Sequence, residues 1–352
     1  MGKKILLVLV GGTICTELNA EGNLSVSGRA GAMLKANFEK SDSPYAATVQ
    51  ITATENLYTL SENMTVEKWN TIFSTYQKYI GTERFDGVIF AHGTDTLAFS
   101  ASLFSQLFSK TDIPIFFVSA NESLESPRSN GNQNFRCAVE CIERGIAPNV
   151  YAVYKNISDG RTYLHLGSRL RQCENYSDDF ISEGALDITD INDDNAGAYF
   201  ERLEKLYPSN KRQSLIAASA ELSPCVLMLE PYPGIDYSVY DYSNFRAVLH
   251  GAYHSGTACA EGGKNSLTYM IDRCAEQGVD TYISPALLKR GTYETVSIIG
   301  EHGGDKGIRF LYGCTKECAY AKLLIAYSLI NDAAEREKFL NTECNFEFIR
   351  SK

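Results

Sequence analysis

Two threonines stand where a hydroxyl could do chemistry. The first closes the stretch Leu9-Val10-Gly11-Gly12-Thr13-Ile14, at the end of an apolar run. The second lies in Phe90-Ala91-His92-Gly93-Thr94-Asp95-Thr96, directly after the apolar run Gly87–Ala91. A threonine hydroxyl is a weak nucleophile until a base or a hydrogen-bond chain withdraws its proton. Neighbouring glycines let backbone approach a ligand closely and can aim N–H groups at a developing oxyanion. Each threonine also has a plain structural alternative: Thr13 as part of a strand-end turn, and Thr94 or Asp95 as a helix N-cap. His92, beside a buried strand, reads as a hydrogen-bonded core histidine. Neither turn forms the GxGxxG pattern of a dinucleotide site, and no Gly-Lys-Ser/Thr phosphate loop occurs in the chain.

Positioning such turns is the task of the elements around them. Lys4–Val10, Gly87–Ala91, Ile113–Ser119 and Val150–Tyr154 are short continuous apolar runs, the pattern of strands buried on both faces. Between them, Val66–Ile80, Thr96–Phe108 and Asn134–Arg144 carry apolar residues at helical spacing. This βαβα rhythm predicts an α/β fold: a large N-terminal domain whose mostly parallel sheet is covered by helices on both faces. Glu183–Lys211 is polar and turn-rich and predicts a linker. The expected division is therefore 1–190, a linker over 191–213, and a smaller C-terminal α/β domain over 214–352. In that second domain the pattern predicts strands at Val226–Glu230, Ala247–Leu249 and Thr281–Ile283. Helices are expected at Tyr242–Arg246, Leu267–Gln277 and Ala319–Ile330.

Composition bounds the function. A chain of 352 residues suits two domains, and 44% apolar against 22% charged residues is an ordinary globular balance. The net charge of −10 lacks the basic footprint of a nucleic-acid binder, so no nucleic-acid partner is expected. The opening Ile5–Val10 run is too short for a membrane span and is followed by Gly11-Gly12 rather than a cleavage site. No membrane partner is expected, and a cytoplasmic location is. Ten cysteines form no zinc-like cluster; Cys137/Cys141 and Cys314/Cys318 read as reduced core thiols, and no metal is expected.

GGTI after the first strand and HGTDT after a later one resemble the L-asparaginase/glutaminase family, the bacterial-type amidohydrolases, and most of all its type I cytoplasmic kind. Further stretches match in order along nearly the whole chain. Ser61-Glu62-Asn63-Met64-Thr65 resembles the family's substrate-carboxylate loop. Arg128-Ser129-Asn130-Gly131 with Asn134 resembles the RSDG…N stretch. Thr315-Lys316-Glu317-Cys318-Ala319, followed by Lys322-Leu323, resembles the late T-x-E-A…K-L segment.

The resemblance implies hydrolysis of the side-chain amide of L-asparagine to L-aspartate and ammonia through a threonine ester. Thr13 would be the nucleophile, Thr94 the second hydroxyl and Asp95 its neighbour. Ser61, Glu62, Thr94, Asp95 and Glu317 would bind substrate. It also implies a homodimer or dimer of dimers, with sites completed across the interface, and no metal or organic cofactor. Two family positions depart. The loop tyrosine is replaced by Asn23 or Leu24, and the lysine paired with the second threonine by Arg171 or Gln172, depending on register. Arginine stays protonated and glutamine has no proton to exchange, so neither is a base. Tyr58, Tyr163 and Lys155 stand nearby in sequence as substitutes. The Gly-rich loop of the second domain is altered too, reading His250 to Thr257.

Other readings are a same-fold hydrolase of another small amide, glutamine or a modified amino acid, and a non-catalytic amino-acid binder. A fourth, the ammonia-supplying component of a tRNA-dependent amidotransferase, is set aside because GGT begins at residue 11 and the charge is acidic.

Overall fold

The computed structural model describes residues 2–18, 21, 24–26, 28–214, 221–286 and 293–349. The chain divides into two units, Met1–Ser214 and Leu215–Lys352.

The first unit is an α/β sandwich. Its strands are β1 (Lys4–Leu9), β2 (Thr16–Leu18), β3 (Leu24–Val26), β4 (Gln50–Ala53), β5 (Gly87–Ala91), β6 (Ile115–Val118), β7 (Val150–Lys155), β8 (Thr162–Leu166), β9 (Leu170–Arg171), β10 (Ile181–Ser182) and β11 (Leu186–Asp187). Its helices are α1 (Ala30–Glu39), α2 (Val66–Ile80), α3 (Leu97–Leu107), α4 (Gly131–Glu143) and α5 (Ala196–Leu206). Seven strands form one sheet in the order β11-β8-β7-β6-β5-β1-β4. β4, β1, β5, β6 and β7 are parallel, and β8 and β11 continue the sheet antiparallel.

Strand alternation assigns the helices to faces. On β5, a side chain at Gly87 would strike Ile142 of α4, whereas Phe90 packs on Tyr76 of α2 and Phe104 of α3. Residues 87 and 90 point to opposite faces of a strand, so α4 covers one face and α2 and α3 the other. Phe38 of α1 meets Phe135 of α4 edge to face, which puts α1 on the α4 side. Both faces of the sheet are covered, as the sequence pattern predicts.

The second unit holds β12 (Val226–Leu229), β13 (Ala247–His250), β14 (Asp280–Ala286) and β15 (Ile308–Tyr312), with helices α6 (Leu267–Glu276), α7 (Glu294–Gly303), α8 (Lys316–Leu329) and α9 (Ala333–Asn341). The strands are parallel, in the order β12-β13-β14-β15. Tyr237, Val248, Leu267, Met270 and Ile271 are central to its core.

Three expectations need correction. Residues 191–213 are not a free linker: they carry α5 and dock on the first unit. Asp193 accepts from the Tyr45 hydroxyl at 2.7 Å and from Arg144 Nε at 2.8 Å, and Ser109 donates to the Gln213 carbonyl at 2.7 Å. The first unit accordingly runs to Ser214 rather than to 190, while the second begins at Leu215, one residue after the expected 214. Tyr242–Arg246 is a turn, because Asp241 Oδ1 accepts from both Ser243 N at 3.0 Å and Ser243 Oγ at 2.7 Å. Such a local side-chain bond competes with helix. Finally, Thr94–Thr96 is a separate 3-10 turn ahead of α3.

Candidate active site

β1 has β4 on one side and β5 on the other, so the chain leaves these central strands in opposite directions. The carboxyl ends of β1 and β5 therefore bound a crevice, the place where open α/β sheets hold ligands. Both threonine turns start there. Val10 N and Gly11 N donate to the Ala91 carbonyl at 3.0 and 3.3 Å, tying the first turn to the end of β5. Gly12 N donates to the Thr59 carbonyl at 3.0 Å, and Thr59 N to the Val10 carbonyl at 3.0 Å.

Two glycines make the convergence possible. Gly12 has φ +74°, and a Cβ on it would lie 2.0 Å from Cα of Gly93. A Cβ on Gly93 would lie 2.4 Å from Ser61 Oγ. The Thr13 turn, the Thr94 turn and the Ser61 loop thus meet so closely that only hydrogen fits at the two glycines. Three of the segments singled out in the sequence are brought together.

Thr13 opens a 3-10 turn, Thr13–Cys15, and Thr94 opens Thr94–Thr96. Both are half-buried. Among the described residues neither hydroxyl is engaged in a hydrogen bond. Their neighbours are engaged: Ser61 Oγ donates to Asp95 Oδ2 at 3.0 Å, and Thr96 Oγ1 donates to the Ser61 carbonyl at 3.0 Å. The capping alternative fails, since the residue capping α3 is Thr96 and its side chain makes no capping bond. What remains is two half-buried threonine hydroxyls with no partner among the described residues, on turns joined at Gly12 and Gly93, with Asp95 following the second. Glu62 is exposed in the 3-10 turn Ser61–Asn63.

Beneath the second turn runs a buried relay. Trp69 Nε1 donates to Ser100 Oγ at 2.8 Å, and Ser100 Oγ lies 2.9 Å from His92 Nε2. His92 Nδ1 lies 2.8 Å from the Gly93 carbonyl, which can only accept. The ring is therefore protonated on Nδ1, and Ser100 donates to Nε2. The relay fixes the orientation of the Gly93 peptide between the two threonine turns, and His92 is the core histidine expected. Burial, opposed by the Gly93 carbonyl and the Asp95 charge, pushes the His92 ring down to about 4. Burial likewise lowers His165 to about 3, and lowers His250 to about 4.

These shifts fix a pH dependence. Between the ordinary value near 6.5 and the folded values, the unfolded chain binds protons that the folded chain does not. Their stabilisation is complete above about pH 6.5 and lost as pH falls toward 4, at up to roughly 1.4 kcal/mol per pH unit for each ring. Urea unfolding from pH 7 to pH 4 should show this decline, and His92→Gln should make it shallower.

Of Arg171 and Gln172, it is Gln172 that reaches the second threonine turn. Gln172 Nε2 donates to the Thr94 carbonyl at 2.6 Å, and its Oε1 accepts from Ala98 N at 3.3 Å. Arg171 is exposed on β9. Gln172 thus clamps the second threonine turn to the first turn of α3. Lysine there could donate to Thr94 but could not accept from Ala98, and its charge would sit at a helix N-terminus. Gln172→Lys is expected to destabilise the protein by about 1 kcal/mol, and Arg171→Lys to leave the melting temperature unchanged.

Asn23 lies outside the described residues, as does the Leu24 side chain. Tyr163, on β8, donates to Asp159 at 2.8 Å and is occupied away from both threonine turns. Asn130 and Asn134 are structural: their side chains tie Asn121 and Ser119, after β6, to the Lys155 backbone at the end of β7. In the sequence, Ser100 and Trp69 read only as inward helix residues. Their polar role depends on two helices meeting, which no local pattern reports.

In the second unit, Glu317 is buried in the first turn of α8, which Thr315 caps through Cys318 N at 3.2 Å. His250 ends β13, and its Nε2 lies 2.7 Å from the Tyr237 hydroxyl. Among the described residues no group of three or more His, Cys, Asp or Glu is placed to hold a metal ion. All ten cysteines are free, with Cys259 exposed and Cys173 half-buried. No helix among the described residues is long and apolar enough to cross a membrane.

Comparison with known proteins adds three findings. A family profile described as "Asparaginase, N-terminal" matches residues 4–201. Among curated relatives, a glutamyl-tRNA(Gln) amidotransferase component from Methanobrevibacter smithii is 25% identical over 349 residues, 98% of this chain and 77% of the relative. The protein of the same name from Halobacterium salinarum is 31% identical over 187 residues, 51% of this chain and 43% of its own length. The aligned stretch thus spans less than half of that second relative. Among solved structures, the thermostable L-asparaginase from Thermococcus kodakarensis is 20% identical with a TM-score of 0.71, covering 99% of this chain and 100% of the other. L-asparaginase I from Vibrio cholerae is 21% identical with a TM-score of 0.70, covering 99% of each. These two likenesses establish the shared fold.

Proposed function

The chain belongs to the asparaginase family, and from that premise we propose that it hydrolyses the side-chain amide of L-asparagine, with Thr13 as nucleophile. The observation that carries the reading is the backbone contact of Gly12 with Gly93, which sets two unengaged threonine hydroxyls on adjacent turns at the sheet's crevice. The Thr13 Oγ–carbon bond forms at the amide carbonyl, and the hydroxyl proton passes to the leaving nitrogen. The C–N bond breaks, ammonia departs, and an aspartyl ester remains on Thr13. Water then adds to the ester, frees L-aspartate and returns the hydrogen to Thr13. Backbone N–H groups of the glycine turns stabilise each oxyanion. Thr94, beside Asp95, orients the attacking water.

Ser61 and Glu62 hold the charged end of the substrate. Ser61 already donates to Asp95, so substrate binding and the second threonine are coupled through one hydroxyl. The clamp formed by Gln172 supports Thr94 in position but supplies no base, so Gln172→Lys should alter the pH–rate profile whereas Arg171→Lys should not. Pairing of identical chains, with Glu317 supplied by a partner, belongs to the same proposal. Light scattering tests it: a fully active monomer would remove it.

A second reading is favoured by the curated relatives, which are named as components of an amidotransferase. In it the same amide hydrolysis would supply ammonia inside an assembly acting on glutamyl-tRNA(Gln). The net charge of −10 leaves RNA contact to other members of that assembly. Ammonia release by the purified chain from asparagine, glutamine and buffer alone separates the readings. Release from asparagine at steady state supports the first. Release only when a partner and tRNA are added supports the second. Aspartate binding with no release under either condition would leave a non-catalytic binder.

A further inference from the structure

Tyr58 stands one residue before Thr59, whose backbone is hydrogen-bonded to both Val10 and Gly12. Leu57, on its other side, donates to the Leu9 carbonyl at 2.8 Å. The peptide carrying Tyr58 is therefore fixed alongside the exit of β1. Within this fixed stretch Tyr58 adopts φ +52°, the left-handed region that glycine and asparagine take far more readily. Its N–H is held by Asn56 Oδ1 at 2.8 Å. An aromatic residue kept in that conformation on a constrained segment is an outlier of the kind that collects at ligand sites.

The side chain has a direction. A Cβ on Gly28 would lie 3.1 Å from the Tyr58 hydroxyl. Gly28 follows the β2–β3 hairpin, which leaves the Thr13 turn and pairs Thr16 with Val26. Thr16 Oγ1 in turn donates to the Thr13 carbonyl at 2.8 Å. The phenol thus reaches from the substrate loop across to the base of the hairpin that follows the nucleophile. It is 59% exposed, and among the described residues its hydroxyl has no hydrogen-bond partner. A phenol oriented by a strained backbone, and unengaged by any described residue, has its polar end available to a ligand.

We propose that Tyr58 is a substrate-contacting residue, whose hydroxyl donates a hydrogen bond to an oxygen of the small amino-acid amide bound over the Thr13 and Thr94 turns. The inference rests on the amide-hydrolase reading and adds to it a contact from the 57–59 segment. It accounts for a tyrosine standing at a position whose φ suits glycine better. It also gives the substrate a neutral donor on the hairpin side, beside Gly28.

The test compares wild type, Tyr58→Phe and Tyr58→Gly by aspartate calorimetry, steady-state ammonia release and thermal melting. Tyr58→Phe keeps ring and backbone and removes only the hydroxyl. It should weaken aspartate binding or raise KM by about tenfold, the effect of one hydrogen bond to a charged group. Tyr58→Gly should lose at least as much affinity while its melting temperature stays level or rises, because glycine suits φ +52°. A purely structural tyrosine would give the opposite split, with lower melting and unchanged affinity. If wild type binds and turns over amide while both variants match it, the Tyr58 inference alone is overturned. If wild type neither binds aspartate nor releases ammonia, the amide-hydrolase reading fails and the inference with it.

Discussion

Replacing Thr13 by alanine should abolish amide hydrolysis while leaving the protein folded and able to bind aspartate. The Thr13 hydroxyl has no hydrogen-bond partner among the described residues, so its removal leaves no described partner unpaired. The carbonyl of residue 13, which accepts from Thr16, is kept in the variant. Stability should change by less than about 0.5 kcal/mol. The catalytic loss is of another order: deleting an attacking atom commonly removes at least roughly a thousandfold of kcat. Ser61, Glu62 and Asp95 lie on other segments, so aspartate affinity should persist. Residual kcat within about tenfold of wild type would mean that a different residue attacks.

The second large effect is expected from Gly12→Ala, which adds a single methyl group. The new Cβ would lie 2.0 Å from Gly93 Cα and 2.3 Å from Gly93 N. Both are backbone atoms, so no side-chain rotation relieves the contact. Alanine at φ +74° adds its own conformational strain, about 1–2 kcal/mol. The two threonine turns must then separate by about an ångström, and a displacement of that size can cost about a hundredfold in rate. Gly12→Ala should therefore lower stability by at least about 2 kcal/mol and kcat/KM by at least about a hundredfold. Gly160→Ala is the control, since Gly160 has φ +69° with nothing within 4 Å of the added carbon. It should show the strain without the catalytic loss; equal losses in both variants would contradict the close-approach account.

The parts of this architecture most legible in the sequence are those governed by local patterns. The helix over Val66–Ile80 follows from helical spacing of Val66, Trp69, Ile72 and Tyr76, all buried, and from the Thr65 cap. Gly87–Ala91 is a fully buried strand, as its unbroken apolar run implies. β4 is not legible, because Gln50–Ala53 is a half-exposed edge strand with little apolar contrast. Thr13, Ser61, Thr94 and Asp95 are legible by motif, yet their convergence depends on two glycine contacts between segments far apart in the chain. That Gln172 rather than Arg171 faces the Thr94 turn does have a local signal. Leu170 is buried and Arg171 exposed, so strand alternation returns residue 172 to the inner side. Tyr58 is named in the sequence only for standing near the altered positions; its positive φ has no local signal, because it arises where the 57–59 segment is bound to the end of β1.

The central claim is that Thr13 carries the acyl group. Acid quenching during turnover of asparagine, followed by peptide mass analysis, tests it directly. The expected result is an aspartyl ester on the peptide containing Thr13, absent in Thr13→Ala. An ester on the peptide containing Thr94, or full turnover by Thr13→Ala, would contradict it.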